Sequence, residues 1–176
     1  MKLYQYICDS DEYHSLELPK SVPTSWMTQF DGRSFRASWS PIRLNVYYRN
    51  SMGNFSRLGG HLPIFDENAW LALEPLVRDH VEALPLIKPK GDWPLFYMIN
   101  VTTVLDCLDF AKARVDRFGD GAILNITHYA FRANIVDQIP IFRIKACELF
   151  TIIVSQTFRA AVESHGLKGL LWKTLS

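Results

Sequence analysis

The stretch Ile141–Trp172 constrains the fold most, because it contains the pattern of a strand, a capped helix and a second strand in immediate succession. Thr151–Val154 is a short apolar run rich in β-branched residues, which predicts a strand. Ser155 follows at a position where a hydroxyl can cap a helix, so we expect the helix to begin near Gln156. Leu170–Trp172 is then expected to return to the sheet.

The same helix has a recognisable end and a recognisable buried side. Gly166 is expected to end it in the left-handed conformation, with Leu167 packing against Val162. The buried stripe is expected at positions i, i+3, i+4 and i+7, which are Phe158, Ala161, Val162 and His165.

Other segments follow the rules for short strands and turns. The segment Asp9–Thr24 holds two prolines and several acidic residues, and we interpret it as a loop. The glycine-containing stretch Arg49–Gly60 is our candidate for a hinge or a lobe boundary. Gly119–Gly121 is expected to turn a hairpin after a short helix within residues 102–118, although a hairpin throughout is also compatible with that passage. Strands are predicted at Met1–Cys8, Phe35–Trp39, Arg43–Tyr48, Leu95–Val101 and Ile141–Ile144.

A second helix is predicted after Asp66, a capping residue, with Phe65 closing over Trp70. Pro75 is expected to open a further helical segment, because proline suits a first turn and disrupts a helix interior. The buried face of that segment would be Leu76, Val77, His80, Val81 and Leu84. Together these elements predict an α+β protein, with a mixed and mainly antiparallel sheet packed against a few short helices. We expect a single domain over residues 1–176, with residues 1–57 as a candidate N-terminal sub-lobe.

Composition narrows the classes of function. Hydrophobic residues make up 48% of the 176 residues, which indicates a folded chain. A net charge of +1 without any basic block argues against a nucleic-acid partner. The three cysteines are widely spaced, which is typical of reduced thiols. The N-terminus lacks a signal-peptide pattern and no apolar run reaches transmembrane length, so we expect a cytoplasmic protein with no membrane partner.

Sequence motifs for chemistry are scarce. The five histidines do not occur in HxH, HxxxH or HExxH spacing, so we expect no metal and no cofactor. Cys107 with His128 is a conceivable thiol nucleophile and base, oriented by Asp106 or Asp109, but a buried structural cysteine fits better. The pair Gly59-Gly60 lacks the spacing of a phosphate-binding loop. We therefore predict no catalytic residue.

Aromatic residues cluster beside polar turns in the first third of the chain. Such residues are enriched at the cores of protein interfaces, although about half or more of them are expected to belong to the protein core. Arginine is the other common anchor residue. Our candidates for a partner-binding surface are Trp26, Trp39, Tyr47, Tyr48, Arg49, Phe55 and Arg57.

The order of features from Leu58 to Trp172 resembles a known family. The segments that carry the resemblance are LGGHLPIFDENAWLALEPLVRDHVEALPL, FYMINVTTVLDCLDFAKARVDRFGDGAI, IPIFRI and IIVSQTFRAAVESHGLKGLLW. They are similar to bacterial immunity proteins of polymorphic toxin systems. The closing pattern of that family is matched by Val154, Ser155, Phe158, Val162, Glu163, Gly166, Leu167 and Gly169.

The resemblance implies a non-catalytic protein that binds and neutralises a toxin made by the same cell, by covering its active site or its substrate path. Its partner would be the cognate toxin, encoded by a neighbouring gene. The alternative is a small cytoplasmic enzyme or ligand-binding domain with a cleft near residues 49–61. A structural subunit of a larger assembly is a third option. The sequence does not specify an oligomeric state.

Overall fold

A computed structural model describes residues 2–48, 50–59, 62–147 and 151–175. Mainly antiparallel sheets and short helices confirm the predicted α+β class. The strands of the described residues are β1 Leu3–Cys8, β2 Ser15–Glu17, β3 Asn45–Tyr48, β4 Phe55–Leu58, β5 Leu62–Asp66, β6 Val81–Pro85, β7 Phe96–Val101, β8 Val104–Leu105, β9 Arg114–Arg117, β10 Ile123–His128, β11 Ile141–Ile144, β12 Ile152–Ser155 and β13 Leu170–Thr174. The α-helices are α1 Glu67–Val77, α2 Ala133–Val136 and α3 Gln156–Ser164, and Thr24–Gln29 and Lys145–Cys147 form 3-10 helices.

The larger sheet has five strands in the order β13-β1-β12-β11-β8. Its pairs are antiparallel except β11 with β8. Strand β1 lies between two strands from the other end of the chain, with Tyr4 opposite Val154 on one side and Tyr6 opposite Trp172 on the other. Because the first strand is part of the sheet formed by the last ones, we propose that residues 1–176 form one domain.

The second sheet has four strands in the order β4-β5-β7-β6. One of its faces packs with α1, α3 and the five-stranded sheet, and Phe65, Ile99 and Phe158 lie in the core between them. The other face carries Ile64 and Met98 and is covered by the N-terminal segment of residues 16–46. The alternation of side chains along β5 and β7 therefore supplies two cores from one sheet.

Helix α3 begins and ends where the sequence predicts. The Ser155 hydroxyl accepts a hydrogen bond from the Phe158 amide at 3.2 Å. Gly166 has a φ of 63°, and the Leu167 amide donates to the Val162 carbonyl at 3.1 Å, which closes the helix in a Schellman motif. The prediction that His165 belongs to the buried stripe is wrong. This residue lies just after the last helical residue and is exposed, with Nδ1 2.8 Å from the Ala161 carbonyl oxygen.

Helix α1 confirms the predicted cap, because the Asp66 carboxylate accepts a hydrogen bond from the Ala69 amide at 2.7 Å. The prediction of a second helix opening at Pro75 is wrong. Pro75 lies within α1, near its end. His80 precedes β6, and Val81 and Leu84 belong to that strand. The carbonyl that loses its intrahelical donor to Pro75 belongs to Leu71, which is 62% exposed, so solvent can satisfy it.

Two further predictions, a helix within residues 102–118 and a strand at Phe35–Trp39, are wrong. Residues 102–118 contain strands rather than a helix, because Val104 pairs with Arg143 in the five-stranded sheet. The hairpin at Gly119–Gly121 is confirmed, since it joins β9 to β10. Residues 35–39 form turns instead of a strand. The candidate hinge or lobe boundary stays a prediction. Four of its residues, Phe55–Leu58, form β4, which pairs along its whole length with β5.

Candidate functional site

Pairing of β2 with β3 builds a cleft of about 250 Å³ on one side of the molecule. The pair places Ser15 opposite Tyr48, which brings the residues before β2 next to the two tyrosines. The end of β1 and strand β4 complete the walls. Its lining includes Cys8, Asp11, His14, Tyr47, Tyr48 and Arg57.

The rim of the cleft is aromatic and exposed. Tyr47 is 58% exposed and Tyr48 is 52% exposed, and their ring centroids lie 4.3 Å apart in an edge-to-face arrangement. Arg57 projects from β4 and is also exposed, and its guanidinium makes no ion pair with any described residue. Exposed tyrosines beside an available arginine are the side chains that most often anchor a protein partner.

His14 lies at the back of the cleft and is 2% exposed. Its ring packs against Trp93 and Phe96, with centroid distances of 5.3 and 5.6 Å. The Gly53 amide donates to Nδ1 at 3.4 Å, whereas Nε2 has no hydrogen-bond partner within the described part of the chain. Burial lowers the pKa of His14 and outweighs a weaker opposing effect of the Ser51 backbone, so the ring is neutral at pH 7.

Acidic residues lie close to the two tyrosines of the rim. Asp11 and Glu12 are exposed beside the cleft, and Glu17 is exposed on β2. The pKa of Tyr47 is raised, chiefly by its interaction with Tyr48 and also by the Glu17 carboxylate. The rim therefore offers negative charge from residues 11–17 and one positive charge from Arg57.

A second concavity, of about 390 Å³, lies beside the segment that covers the four-stranded sheet. Trp26 and Trp39 line it with their ring centroids 6.0 Å apart. The Trp39 indole N–H donates to the Pro85 carbonyl at 2.8 Å, which fixes the ring against the end of β6. Both rings are partly buried against the core beneath them, so each offers only part of its surface.

The structure separates the seven sequence-predicted binding residues. Tyr47, Tyr48 and Arg57 meet at the cleft, while Trp26 and Trp39 line the second concavity. Phe55 requires a correction: it is 1% exposed and packs edge-on against Phe65 at 5.1 Å, so its ring belongs to the core and has no surface for a partner. Arg49 lies outside the described residues.

Sequence reasoning missed Asp11 and His14 because it interpreted the whole of Asp9–Thr24 as a loop. A signal was available, since Leu16 and Leu18 alternate with polar residues as a short strand requires. The pairing of that strand with β3 places Asp11 and His14 at the cleft.

Neither Cys8 nor Cys107 has the environment of a nucleophile. Cys107 is fully buried, and its burial raises the pKa of the thiol to about 12, so the thiolate is scarce at neutral pH. Burial likewise raises the pKa of Cys8 to about 12. His128, the suggested base for Cys107, is an exposed residue at the end of β10. Among the described residues, no three His, Cys, Asp or Glu side chains form a group suited to a metal ion.

Comparison with known proteins identifies the family. The sequence profile of the Immunity protein family (Imm11) matches residues 83–176. The chain therefore belongs to this immunity protein family, which confirms the resemblance seen in its sequence. No curated protein matches the chain significantly.

The matched region starts at residue 83, so every sequence-predicted binding residue lies before it. The family part contains β7 to β13 and helix α3. It therefore includes four of the five strands of the larger sheet, β8, β11, β12 and β13. Helices within the described residues are too short to cross a bilayer; the longest, α1, has 11 residues.

Proposed function

We propose that this protein binds a cognate toxin made by the same cell, encoded by a neighbouring gene, and neutralises it by occlusion without turnover. The observation that carries the proposal is the match of residues 83–176 to an immunity protein family. The high pKa of both Cys8 and Cys107 adds support, because it removes the thiols as ready nucleophiles. We place this activity in the cytoplasm.

We further propose that the toxin docks on the rim formed by Tyr47, Tyr48 and Arg57. The two rings are large, rigid and more than half exposed, so their burial against a partner would release much ordered water. Arg57 makes no ion pair with a described residue, so no such pair has to break before it binds a carboxylate. Trp26 and Trp39 are candidates for a second contact area at the other concavity. Arg49 stays a candidate on the sequence alone.

The position of these residues along the chain also supports the proposal. They precede the family-matched region, whose strands and helix form the scaffold. A protein that must recognise one particular toxin needs a shared scaffold with a face of its own. The rim residues lie on β3 and on β4, an outer strand of the four-stranded sheet, and both strands precede residue 83.

The test is co-expression with the product of the adjacent gene. Wild-type protein should rescue the cells and co-purify with that product, and the double variant Tyr47→Ala/Tyr48→Ala should lose both properties. The matched control is Phe118→Ala, which removes an aromatic ring that is 50% exposed on the β9–β10 hairpin. Retained binding by the double variant, or equal loss in the control, would place the docking face elsewhere.

A second candidate function is the binding of a small ligand in the cleft. Ser56, Arg57 and Gly59, which belong to the stretch near residues 49–61, line this cleft. The buried His14 Nε2 also lies there and has no hydrogen-bond partner among the described residues. Small-molecule sites commonly combine apolar walls with a few such polar groups. Rescue by a variant that no longer binds the toxin would favour this function over occlusion.

A further inference from the structure

Strand β13 forms one outer edge of the five-stranded sheet. It pairs with β1 over five consecutive residues, from Leu170 opposite Cys8 to Thr174 opposite Tyr4, without a bulge. No strand of the described chain pairs with its other side. An edge of this length presents backbone groups that another strand can bind.

The hydrogen bonds between β13 and β1 show which backbone groups of β13 point away from β1. The Leu175 amide donates to the Leu3 carbonyl at 2.9 Å, and the Asp9 amide donates to the Gly169 carbonyl at 3.0 Å. In an antiparallel pair the backbone groups of alternate residues point to the neighbouring strand, so Leu171 and Lys173 also point to β1. The N–H and C=O groups of Leu170, Trp172 and Thr174 therefore point outward.

Several other edges in the described part of the chain are covered, distorted or short. Strand β6 is capped by the Trp39 indole at Pro85, and the Ile87 amide beyond it donates to the Ile42 carbonyl at 2.9 Å. The β9–β10 pair has two register irregularities, and β8 has only two residues. Such features discourage edge-to-edge pairing. The feature of this kind on β13 is a single charged side chain, Lys173.

We propose that β13 is a self-association edge, which pairs antiparallel with β13 of a second copy and joins the two five-stranded sheets. The register that uses all outward groups centres on Trp172, which faces Trp172 of the second copy. Leu170 then lies opposite Thr174 of that copy, and Leu171 lies opposite its Lys173. The edge is self-complementary, because neither lysine faces a like charge.

Side chains on both faces of β13 fit this arrangement. Trp172 is half-buried on the α3 face, where its ring lies edge-on to Tyr4 at 5.8 Å and beneath the Arg159 guanidinium at 5.4 Å. Two such rings would meet at the centre of the new pair. On the opposite face Leu171 is 48% exposed, and pairing would cover it with the aliphatic stem of Lys173 from the second copy.

The experiment is sedimentation equilibrium of the purified protein alone, so it does not depend on toxin binding. Wild type should show a concentration-dependent dimer. Leu171→Lys would face Lys173 of the second copy and should weaken association at least tenfold, whereas Leu171→Glu would face the same lysine and should strengthen it severalfold. Thr174→Pro should also abolish the dimer, because it removes an outward N–H that β1 does not use.

The control is Leu124→Lys, which adds a lysine at a leucine that is 50% exposed on β10 and should leave association unchanged. Unchanged circular dichroism and melting of each variant would show that the monomer fold is retained. A monomeric wild type at the highest soluble concentration, or equal effects of lysine and glutamate at residue 171, would overturn the proposal. Loss of toxin binding in Thr174→Pro, with a monomeric wild type, would assign this edge to a strand of the toxin instead.

Discussion

Glu82 and Asn100 face each other across the β6–β7 pair, and the Asn100 amide donates to the Glu82 carboxylate at 3.0 Å. The same carboxylate accepts hydrogen bonds from the Phe35 amide at 2.8 Å and from the Ser34 hydroxyl. A buried pair on the sheet therefore holds the segment that carries Trp26 and Trp39. Burial raises the pKa of Glu82, but these hydrogen bonds together outweigh that effect and lower it.

Glu82→Ala should destabilise the protein by about 2–4 kcal/mol, because the buried Asn100 amide and the donors of Ser34 and Phe35 all lose their charged acceptor. Chemical denaturation measures the change. Glu74→Ala is the matched control, since Glu74 is a half-exposed glutamate on α1 without a side-chain hydrogen bond to any described residue. A loss of stability no larger than that of the control would show that the Glu82 network does not stabilise the fold.

Phe158→Ala should cost about 3–5 kcal/mol of stability, because the ring is fully buried between α3 and the sheets. Its centroid lies 6.4 Å from that of Phe65. Thr157→Ala, at an exposed neighbouring position of the same helix, provides the comparison. Melting of Phe158→Ala within a degree or two of wild type would contradict this core assignment.

The sequence predicted the elements that local chemistry determines. Ser155 and Gly166 fix both ends of α3 through backbone contacts within a few residues, so their pattern is visible without any tertiary information. The helix predicted within residues 102–118 is wrong because Val104 pairs with Arg143, which is far away in the chain. That pairing overrides the helical periodicity of the sequence. The cleft was only half predicted for the same reason, since His14 reaches it through the β2–β3 pair.

Acidification should reduce stability through His14. Its folded pKa lies below its usual value of 6.5, so the unfolded chain binds more protons than the folded one between those two pKa values. Stability is then fully present above the unfolded pKa and falls as the pH drops below it. The melting temperature of wild type should fall from about pH 8 to about pH 5.5, and that of His14→Gln should fall less. Identical pH profiles would contradict the assignment of a neutral, buried His14.

We propose that this protein neutralises a toxin by stoichiometric binding. The decisive measurement is a titration of a fixed amount of the adjacent gene's product, the proposed toxin, with the purified protein. We expect toxin activity to fall linearly and to reach zero at one protomer of the immunity protein per toxin. Intact toxin should be recovered when the complex is denatured. Full protection at a small fraction of that ratio, or a covalently altered toxin, would contradict occlusion and identify an enzyme.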